Sequence, residues 1–515
     1  MSNQPVWRSD QGDGTYINPI LHLDYSDPDV IRVGDDFFMT ASSFNCTPGL
    51  PVLHSKDLVN WRLVNYAVKN LDFPGYDQPM HGCGIWAPSI RYHDGRFWIC
   101  VGLPDEGIYM TTAEDPFGEW SPLFCVKPGK GWIDPCPFWD DDGQAYLVHA
   151  FAASRCGIKS KLILHRMAPD GSCVLDEGSI IFDGTLNHPT LEGPKMYKRN
   201  GFYYIMAPAG GVTNGWQTVL RSRSVWGPYE DRIVLRQGST KINGPHQGGY
   251  VELESGEAWF VHFQDRNAYG RIVHLQPVHW VDGWPIMGDN GEPVLRHTKP
   301  AVGRDYPVET IPASDRFDQG KLGLQWQWFA NHIEHWYSLG EYGLRLFTQP
   351  VSGPLQTMWA VPNILAQKFP APSFTATVKL TFEPQIVTEK AGLVITGNNY
   401  SYLALVKLDA CWRLERWLGS KDQKHDQLEA AVELDTNTVY LRVAVDEPAV
   451  CTFSYSLDNH HFHGLGSKFE AVKGHWIGSK IGLFSFDPGS TQTLGHADFA
   501  WIEVEGGAAG GADLV

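Results

Sequence analysis

A short hairpin pattern recurs five times in the first 300 of the 515 residues. Each copy has an apolar strand, a polar turn that contains a glycine, and a second strand rich in aromatic and β-branched residues. The copies begin at Val30, Ile90, Pro137, Lys195 and Tyr250, which places them roughly 47 to 60 residues apart. This is the spacing of propeller blades, and no sustained 3.6-residue apolar period indicates helices. The repeat predicts a five-bladed β-propeller over residues 15–300.

The pattern changes after a proline-rich segment at residues 295–317. Segments such as "SFTATVKLTF" and "VYLRVAVD" alternate polar and apolar residues and are separated by turns. This alternation is typical of a β-sandwich with two sheets. We therefore predict an all-β protein in which a second domain, a β-sandwich, occupies residues 315–505.

Charge and cysteine content exclude several classes of function. The formal net charge is −17 and the sequence pI is about 5.6, so nucleic acid and anionic membranes would be repelled. The nine cysteines are scattered without CxxC pairs, which fits neither a disulfide framework nor a zinc site. The N-terminal residues have no basic stretch followed by an apolar run, and we expect a cytoplasmic protein. The sequence leaves a homo-oligomer open.

Five residues occupy equivalent places just before the hairpins, where the innermost strand of each blade begins. They are Asp27, Trp86, Asp134, Glu192 and His246. In a propeller the innermost strands line a central channel, so these side chains should converge on one axis. A proline beside each of them would fix the local backbone.

Three of the five converging residues are carboxylic acids. Acids that share a pit of low dielectric constant repel one another when ionised, so their pKa values must differ. One ionised carboxylate could then activate water, while a protonated one could give a proton to a leaving oxygen. A cage that only binds a metal is the alternative, although no DxDxDG loop or HExxH pair is present.

Several motifs resemble those of glycoside hydrolase family 43. The segments are "SDPDVIRVGDDFFMTASSF", "IWAPSIRYHDGRFW", "WIDPCPFWDDDG", "EGPKMYKRNGFYY" and "DGWPIMG". The resemblance implies a five-bladed propeller that acts on xylan or arabinan. The second half looks like the concanavalin-like β-sandwich of the β-xylosidase and α-L-arabinofuranosidase branch.

The resemblance implies a role for each catalytic candidate. Asp27 would be the general base and Glu192 the general acid, while Asp134 would orient Glu192 and tune its pKa. The expected activity is the release of terminal xylose or arabinofuranose from oligosaccharides by an inverting mechanism. The two sugars present similar hydroxyl groups, so the sequence leaves the choice between them open.

The resemblance also implies binding residues. Trp86 would be part of the sugar pocket, and Arg271 would reach substrate hydroxyls, with Arg266 as its competitor; a surface ion pair is the alternative for either arginine. Phe44, which follows "TASS", is a candidate wall of the pocket, and an ordinary packing aromatic is the alternative. His246 would face a Ca²⁺ ion in the central channel, and a hydrogen-bonded core histidine is the alternative. No organic cofactor is expected.

Two other functions compete with this interpretation. A fructan-cleaving propeller enzyme retains configuration, but it would carry "WMNDPN" and "RDP" motifs where this chain has "YSDPD" and "WIDP". A non-catalytic glycan-binding propeller would explain the 20 tryptophans but not three converging acids. The remaining acids of these motifs, Asp29 and Asp140 to Asp142, are predicted to lie in turns and to face solvent.

Overall fold

The computed structural model describes residues 5–351, 356–489 and 492–507. Nearly all of its regular structure is β-strand, arranged as five four-stranded sheets, one two-stranded sheet and two eight-stranded sheets. The prediction of an all-β protein, a five-bladed propeller followed by a β-sandwich, is confirmed. Among the described residues, no helix is long and apolar enough to cross a membrane.

Each propeller blade is a sheet of four consecutive antiparallel strands. The strands of the five blades are, in chain order, Asp29–Val33, Asp36–Thr40, Gly49–Ser55 and Trp61–Val68; Pro88–His93, Arg96–Leu103, Gly107–Ala113 and Phe124–Pro128; Trp132–Trp139, Ala145–Phe151, Lys161–Met167 and Ser179–Asp183; Lys195–Arg199, Phe202–Ala209, Trp216–Ser222 and Glu230–Arg236; His246–Glu252, Ala258–Asp265, Arg271–Val281 and Trp284–Met287. The first two strands of each blade are the hairpin read from the sequence, and the first strand is the innermost one.

The two ends of the propeller are joined by a short sheet. Thr15–Ile17 pairs with Arg296–Thr298 in antiparallel register. Tyr16 is fully buried and packs with residues of blades one and five, and its hydroxyl group donates a hydrogen bond to the carbonyl oxygen of Leu275. The segment before the first blade therefore ties blade one to blade five.

The sandwich has two sheets with a shared apolar core. One sheet contains Gln327–Trp328, Gln349–Pro350, Leu365–Lys368, Lys390–Ile395, Asn399–Lys407, Trp412–Ser420, Gln427–Leu434 and Lys480–Asp487. The other contains Tyr337–Gly340, Gly343–Phe347, Phe374–Glu383, Thr438–Asp446, Val450–Ser456, His463–Gly464, Phe469–Glu470 and His496–Gly506. Alternating residues of the long strands point into the core, as the sequence pattern predicts.

The described helices are single turns. Two are α-helical, Ala153–Cys156 and Gly211–Asn214, and three are 3₁₀ turns, Asn267–Tyr269, Glu334–Trp336 and Met358–Ala360. None of them forms a layer of the fold.

The propeller and the sandwich share an apolar interface. Phe44 and Cys46 of blade one pack in one buried cluster with Phe329, Tyr400 and Ile477 of the sandwich. Backbone hydrogen bonds between Thr47 and Trp328 add a short bridge between the domains. Because this cluster lies beside the start of the innermost strands, the sandwich can contribute side chains to the same end of the propeller.

Asp29 does not face solvent, so that prediction is wrong. Its side chain is fully buried and forms an ion pair with Arg91 of blade two, with Nη1 of Arg91 2.6 Å from Oδ2. The amide groups of Val30 and Ile90 also donate to this carboxylate. The acid is buried because a cation and two amides from adjacent innermost strands compensate its charge.

The prediction for Asp140 to Asp142 is wrong at one position. Asp141 and Asp142 are exposed in the hairpin turn, whereas Asp140 is buried. Asp140 accepts hydrogen bonds from Lys198 and from the hydroxyl group of Tyr203, both in blade four. It therefore links blade three to blade four.

Candidate active site

Local backbone conformation places two of the acids at the axis. Asp27 and Asp134 both have φ values of 56°, in the left-handed region that residues other than glycine seldom adopt. Asp134 also lies within a β-bulge, where the register of its strand shifts between Ile133 and Cys136. Bulges and strained residues commonly re-aim side chains at functional sites.

Asp27 is held by donors on both carboxylate oxygens. Oδ2 accepts hydrogen bonds from the hydroxyl groups of Ser26, at 2.7 Å, and Ser42, at 2.6 Å. Nη1 of Arg271 lies 3.0 Å from Oδ1 and 3.2 Å from Oδ2. The residue is 5% exposed, and Oδ1 has fewer partners than Oδ2. Because each carboxylate oxygen has two acceptor sites, Oδ1 retains room for one more donor.

Asp134 is close to both other acids. Its Oδ2 accepts a hydrogen bond of 2.8 Å from the amide of Gly193, the residue after Glu192. Burial raises the pKa of Asp134, and the negative charge of Asp27 raises it further. The ammonium group of Lys195, which is fully buried, acts in the opposite direction on that pKa.

Glu192 has the surroundings of a proton donor. Burial, then the charges of Asp134 and Asp27, raise the pKa of Glu192 to about 8. Its side chain is 27% exposed, so it is not closed off from solvent. A carboxyl group with this pKa is protonated at neutral pH and can give up its proton.

His246 lies beside Glu192 in the same channel. Its Nε2 is 3.4 Å from Oε1 of Glu192, and neither ring nitrogen has a hydrogen-bond partner among the described residues. Burial lowers the pKa of His246 to about 3, so the ring is neutral. A neutral, unpartnered imidazole is able to bind a metal ion.

Few other side chains near His246 could act as ligands of a calcium ion. Within residues 5–351, 356–489 and 492–507 there is no group of three or more His, Cys, Asp or Glu side chains that could hold a metal. Calcium prefers six to eight oxygen ligands. The described side chains alone therefore do not form a calcium site, and water would have to complete one.

Aromatic rings from both domains meet above the acids. Trp86 is half-buried, and its ring centroid lies 6.5 Å from that of Phe44 and 6.2 Å from that of Trp476. Phe44 is only 3% exposed and lies behind Trp86, whereas Trp476 is 43% exposed. The pocket wall thus combines Trp86 of the propeller with Trp476 of the sandwich.

The two candidate arginines occupy different places. Arg271 contacts Asp27, and its guanidinium group lies 5.8 Å from the ring centroid of Trp476. Arg266 instead forms an ion pair with Glu447 of the sandwich, at 2.7 Å. Of the two, only Arg271 contacts one of the converging acids.

A single carboxylate connects Arg271 to the loop that carries Trp476. Oδ1 of Asp24 accepts a hydrogen bond from the backbone amide of Arg271, and Oδ2 accepts one from the amide of Gly478, both at 2.8 Å. Trp476 itself has a φ of 68°, an unusual value for a bulky residue. The loop position is therefore set by contacts with the propeller.

Sequence reasoning missed several residues of the site. Arg155 lies 5.3 Å from the ring centroid of Trp86 and pairs with Asp105 at 3.2 Å. Trp476 follows Glu192 by 284 residues, in a segment without an acid cluster or a hairpin repeat. Lys195 could have been found, because it begins the fourth hairpin three residues after Glu192. For Arg155 and Trp476 we find no sequence signal.

Residues 16–285 match the sequence pattern of "Glycosyl hydrolases family 43". The chain belongs to glycosyl hydrolase family 43. Residues 314–505 match "Beta xylosidase C-terminal Concanavalin A-like domain", which agrees with the predicted sandwich. The family resemblance drawn from the motifs is confirmed, and the protein is a glycoside hydrolase that acts on carbohydrate.

Relatives of known sequence align along nearly the whole family 43 chain. A protein of Xylanibacter ruminicola with a provisional β-xylosidase name is 41% identical over 488 residues, which cover 92% of this chain and 87% of its own. A β-xylosidase of Formosa agariphila is 32% identical, with 96% and 90% covered. A non-reducing end α-L-arabinofuranosidase of Bacteroides ovatus is 30% identical, with 95% and 94% covered.

Solved structures in the family have the same two-domain fold. The crystal structure of a xylan β-1,4-xylosidase from Bacillus halodurans superimposes with a TM-score of 0.85. It is 26% identical, and the match covers 95% of this chain and 99% of that protein. The likeness therefore includes both the propeller and the sandwich.

Proposed function

We propose that this glycoside hydrolase removes terminal xylose or arabinofuranose from xylo- or arabino-oligosaccharides with inversion of configuration. The observation that carries the proposal is the chemical difference between two acids at one axis. Asp27 is surrounded by donors and a guanidinium group, whereas Glu192 has a pKa raised to about 8. The names of the relatives from Formosa agariphila and Bacteroides ovatus support the two sugars.

Water attack would begin at Asp27. The open acceptor position on Oδ1 is suited to hold a water molecule, because Ser26 and Ser42 already donate to Oδ2. Asp27 removes a proton from that water as its oxygen attacks the anomeric carbon. Arg271 fixes the carboxylate through two contacts to Nη1, at 3.0 and 3.2 Å.

Departure of the leaving group would depend on Glu192. The protonated carboxyl group transfers its proton to the glycosidic oxygen as the bond to the anomeric carbon breaks. Asp134 keeps the proton on Glu192, because its negative charge raises the pKa of that carboxyl group. Asp134 also orients Glu192 by accepting the amide hydrogen of Gly193.

The aromatic wall supports action at chain ends. Trp476 of the sandwich stands 6.2 Å from Trp86 and faces the guanidinium group of Arg271. Rings on two sides of a pit can stack against one terminal sugar and obstruct a chain that would continue past it. Phe44 supports the Trp86 ring from behind, at 6.5 Å.

The stereochemical test is proton NMR of the first sugar released from an aryl β-xyloside. Inversion predicts the α anomer, because water attacks the face opposite the leaving group. Appearance of the β anomer first, or a glycosyl ester trapped on Asp27, would contradict the proposal. Rates on p-nitrophenyl β-D-xylopyranoside and α-L-arabinofuranoside, compared side by side, decide between the two sugars.

Two variants test the roles of Asp27 as the base and Glu192 as the acid. Asp27→Ala should abolish turnover of every substrate, since water activation is needed whatever group departs. Glu192→Ala should slow hydrolysis of alkyl glycosides by roughly 100- to 10 000-fold but spare a dinitrophenyl glycoside, whose leaving group needs no proton. Equal losses on both substrates would argue against Glu192 as the acid.

Calcium at the channel remains part of the proposal. His246 would supply one ligand, and the ion would hold the channel wall near Glu192. Removal of calcium with EDTA should then lower the melting temperature, and added Ca²⁺ should restore it, because an ion that binds only the folded protein stabilises it. An unchanged melting temperature would leave His246 as a core residue. The cytoplasmic location and any homo-oligomer stay predictions.

A further inference from the structure

A second cavity lies at the opposite end of the propeller channel. It has a volume of about 590 Å³, and residues of all five blades line it. The acids described above lie before or near the beginning of the innermost strands, whereas this cavity is lined by later residues of these strands, such as Arg32, Tyr92 and Glu252. The buried ion pair between Asp29 and Arg91 lies between the two ends. The volume is within the range of small-ligand sites.

The positive charges of the cavity already have partners. Arg91 pairs with Asp29 at 2.6 Å, and Arg199 pairs with Glu252 at 3.2 Å. Similarly, Arg32 pairs with Glu254, and Lys198 pairs with Asp140 and Asp141. An anion bound to one of these bases would also lie close to the paired acids, and Asp141 and Glu252 line the cavity themselves, so it would be repelled. The electrostatics therefore favour a neutral ligand.

One wall of the cavity is a connected set of aromatic rings. Tyr197 contacts Tyr250 at 5.6 Å, and Tyr250 contacts Trp280 at 6.0 Å. The indole Nε1–H of Trp280 donates to the Tyr250 hydroxyl group, which in turn donates to Glu252. The guanidinium group of Arg199 lies 4.4 Å from the Trp280 ring centroid. These contacts hold the polar groups and rings in fixed positions before any ligand arrives.

More rings lie across the cavity on the blade-two and blade-three side. Tyr92 is 47% exposed at the rim, and His93 stacks on Trp139 with ring centroids 4.5 Å apart. The lining thus combines aromatic rings with paired arginines, acids and a phenol. A purely apolar ligand would displace water from these polar groups and supply no hydrogen bonds in its place, which is unfavourable.

We propose that this distal cavity is a second binding site for a neutral oligosaccharide. A sugar chain presents apolar ring faces for the aromatic wall and hydroxyl groups that can both donate to and accept from the paired charges. No catalytic acid is involved, so the site binds without hydrolysis. The choice of a xylose-based probe rests on the proposed function, whereas the cavity itself does not.

The test is calorimetric titration of xylotetraose into the Glu192→Gln variant, in which hydrolysis is suppressed. Two molecules should bind per chain. Adding Tyr92→Ala should weaken one of the two sites by at least about ten-fold, or 1.4 kcal/mol. Ile31→Trp, which fills the cavity with a larger side chain, should remove the same site. Phe117→Ala is the matched control, because Phe117 is also 47% exposed but lies outside the cavity.

The outcomes separate this proposal from the proposed function. If one xylotetraose binds per chain and neither Tyr92→Ala nor Ile31→Trp changes its affinity, the proposed distal site is wrong. If one xylotetraose binds per chain and each of the two substitutions abolishes its binding, the result supports the distal site and counts against the active-site assignment. Tighter binding of inorganic sulfate than of tetraose at the distal cavity would also overturn the neutral-ligand proposal. Tyr92→Ala in the otherwise unchanged enzyme should leave aryl-xyloside hydrolysis unaltered.

Discussion

At the scale of single residues, the proposed chemistry depends on differences between the surroundings of three neighbouring acids. Asp27 has an arginine and two hydroxyl groups as partners, while burial and two acidic neighbours raise the pKa of Glu192. Asp134 is intermediate. Burial raises its pKa, whereas the charge of Lys195 and the hydrogen bond from the Gly193 amide lower it. The same functional group can therefore act as a base or as an acid in one pit.

Replacing Asp134 with Asn tests whether the charge of Asp134 raises the pKa of Glu192. Asn retains an oxygen that can accept the Gly193 amide hydrogen but carries no charge. Without that negative charge the pKa of Glu192 falls, so its protonated form is lost at lower pH. The alkaline limb of kcat/KM, expected near pH 8 in the unchanged enzyme, should move to lower pH.

The control for this measurement is Asp142→Asn, an exposed acid of the same blade. It removes an equal charge beyond the opposite end of the strand that carries Asp134, Trp132–Trp139, and should leave the pH profile in place. An alkaline limb that stays fixed in a well-folded Asp134→Asn enzyme would mean that Asp134 does not set the pKa of Glu192.

At the scale of elements, buried polar pairs join neighbouring blades. Arg91 of blade two meets Asp29 of blade one, and Lys198 of blade four meets Asp140 of blade three. A buried charge left without its partner is strongly destabilising, so it restricts how the two sheets can pack. Such pairs therefore help to fix the relative position of adjacent sheets.

Arg91→Met should destabilise the protein strongly. It leaves the fully buried Asp29 carboxylate without its cation, for which a loss of about 3–5 kcal/mol is expected. Denaturant unfolding followed by tryptophan fluorescence measures the loss. Arg32→Met is the control, since its partner Glu254 is 82% exposed and the loss should be about 0–1 kcal/mol. Similar losses for both variants would contradict a role for the blade-one to blade-two pair.

At the scale of the whole molecule, the sandwich completes the pocket of the propeller. Trp476 reaches Trp86 and Arg271, and Asp24 fixes its loop through the Gly478 amide. An apolar cluster shared by both domains lies beside this contact. The proposed substrate pocket thus depends on the docking of both domains.

Trp476→Ala should open one side of the pit. The loss of a ring that stacks on the terminal sugar should lower kcat/KM for aryl xylosides by roughly ten-fold, or about 1.4 kcal/mol, mainly through KM. Longer products should then appear among the digests of xylo-oligosaccharides. Leu494→Ala, at an exposed site elsewhere in the sandwich, is the control. Unchanged KM and products would argue that Trp476 does not contact substrate.

The sequence by itself determined the blades, the sandwich and the set of residues that begin the innermost strands. These features depend on local patterns, namely turn glycines, strand alternation and repeat spacing, which recur within each hairpin and need no knowledge of distant contacts. Asp27, Asp134 and Glu192 could therefore be named in advance. The roles that the surrounding motifs imply for these acids stay predictions.

Only the tertiary structure decided which charged groups meet. It buried Asp29 against Arg91, placed Arg271 rather than Arg266 on Asp27, and brought Trp476 to the pocket. The pairing of a carboxylate with a cation depends on how blades and domains pack, and no periodicity records that packing. A charged side chain can be buried without a large cost only where packing places an oppositely charged or hydrogen-bonding partner beside it.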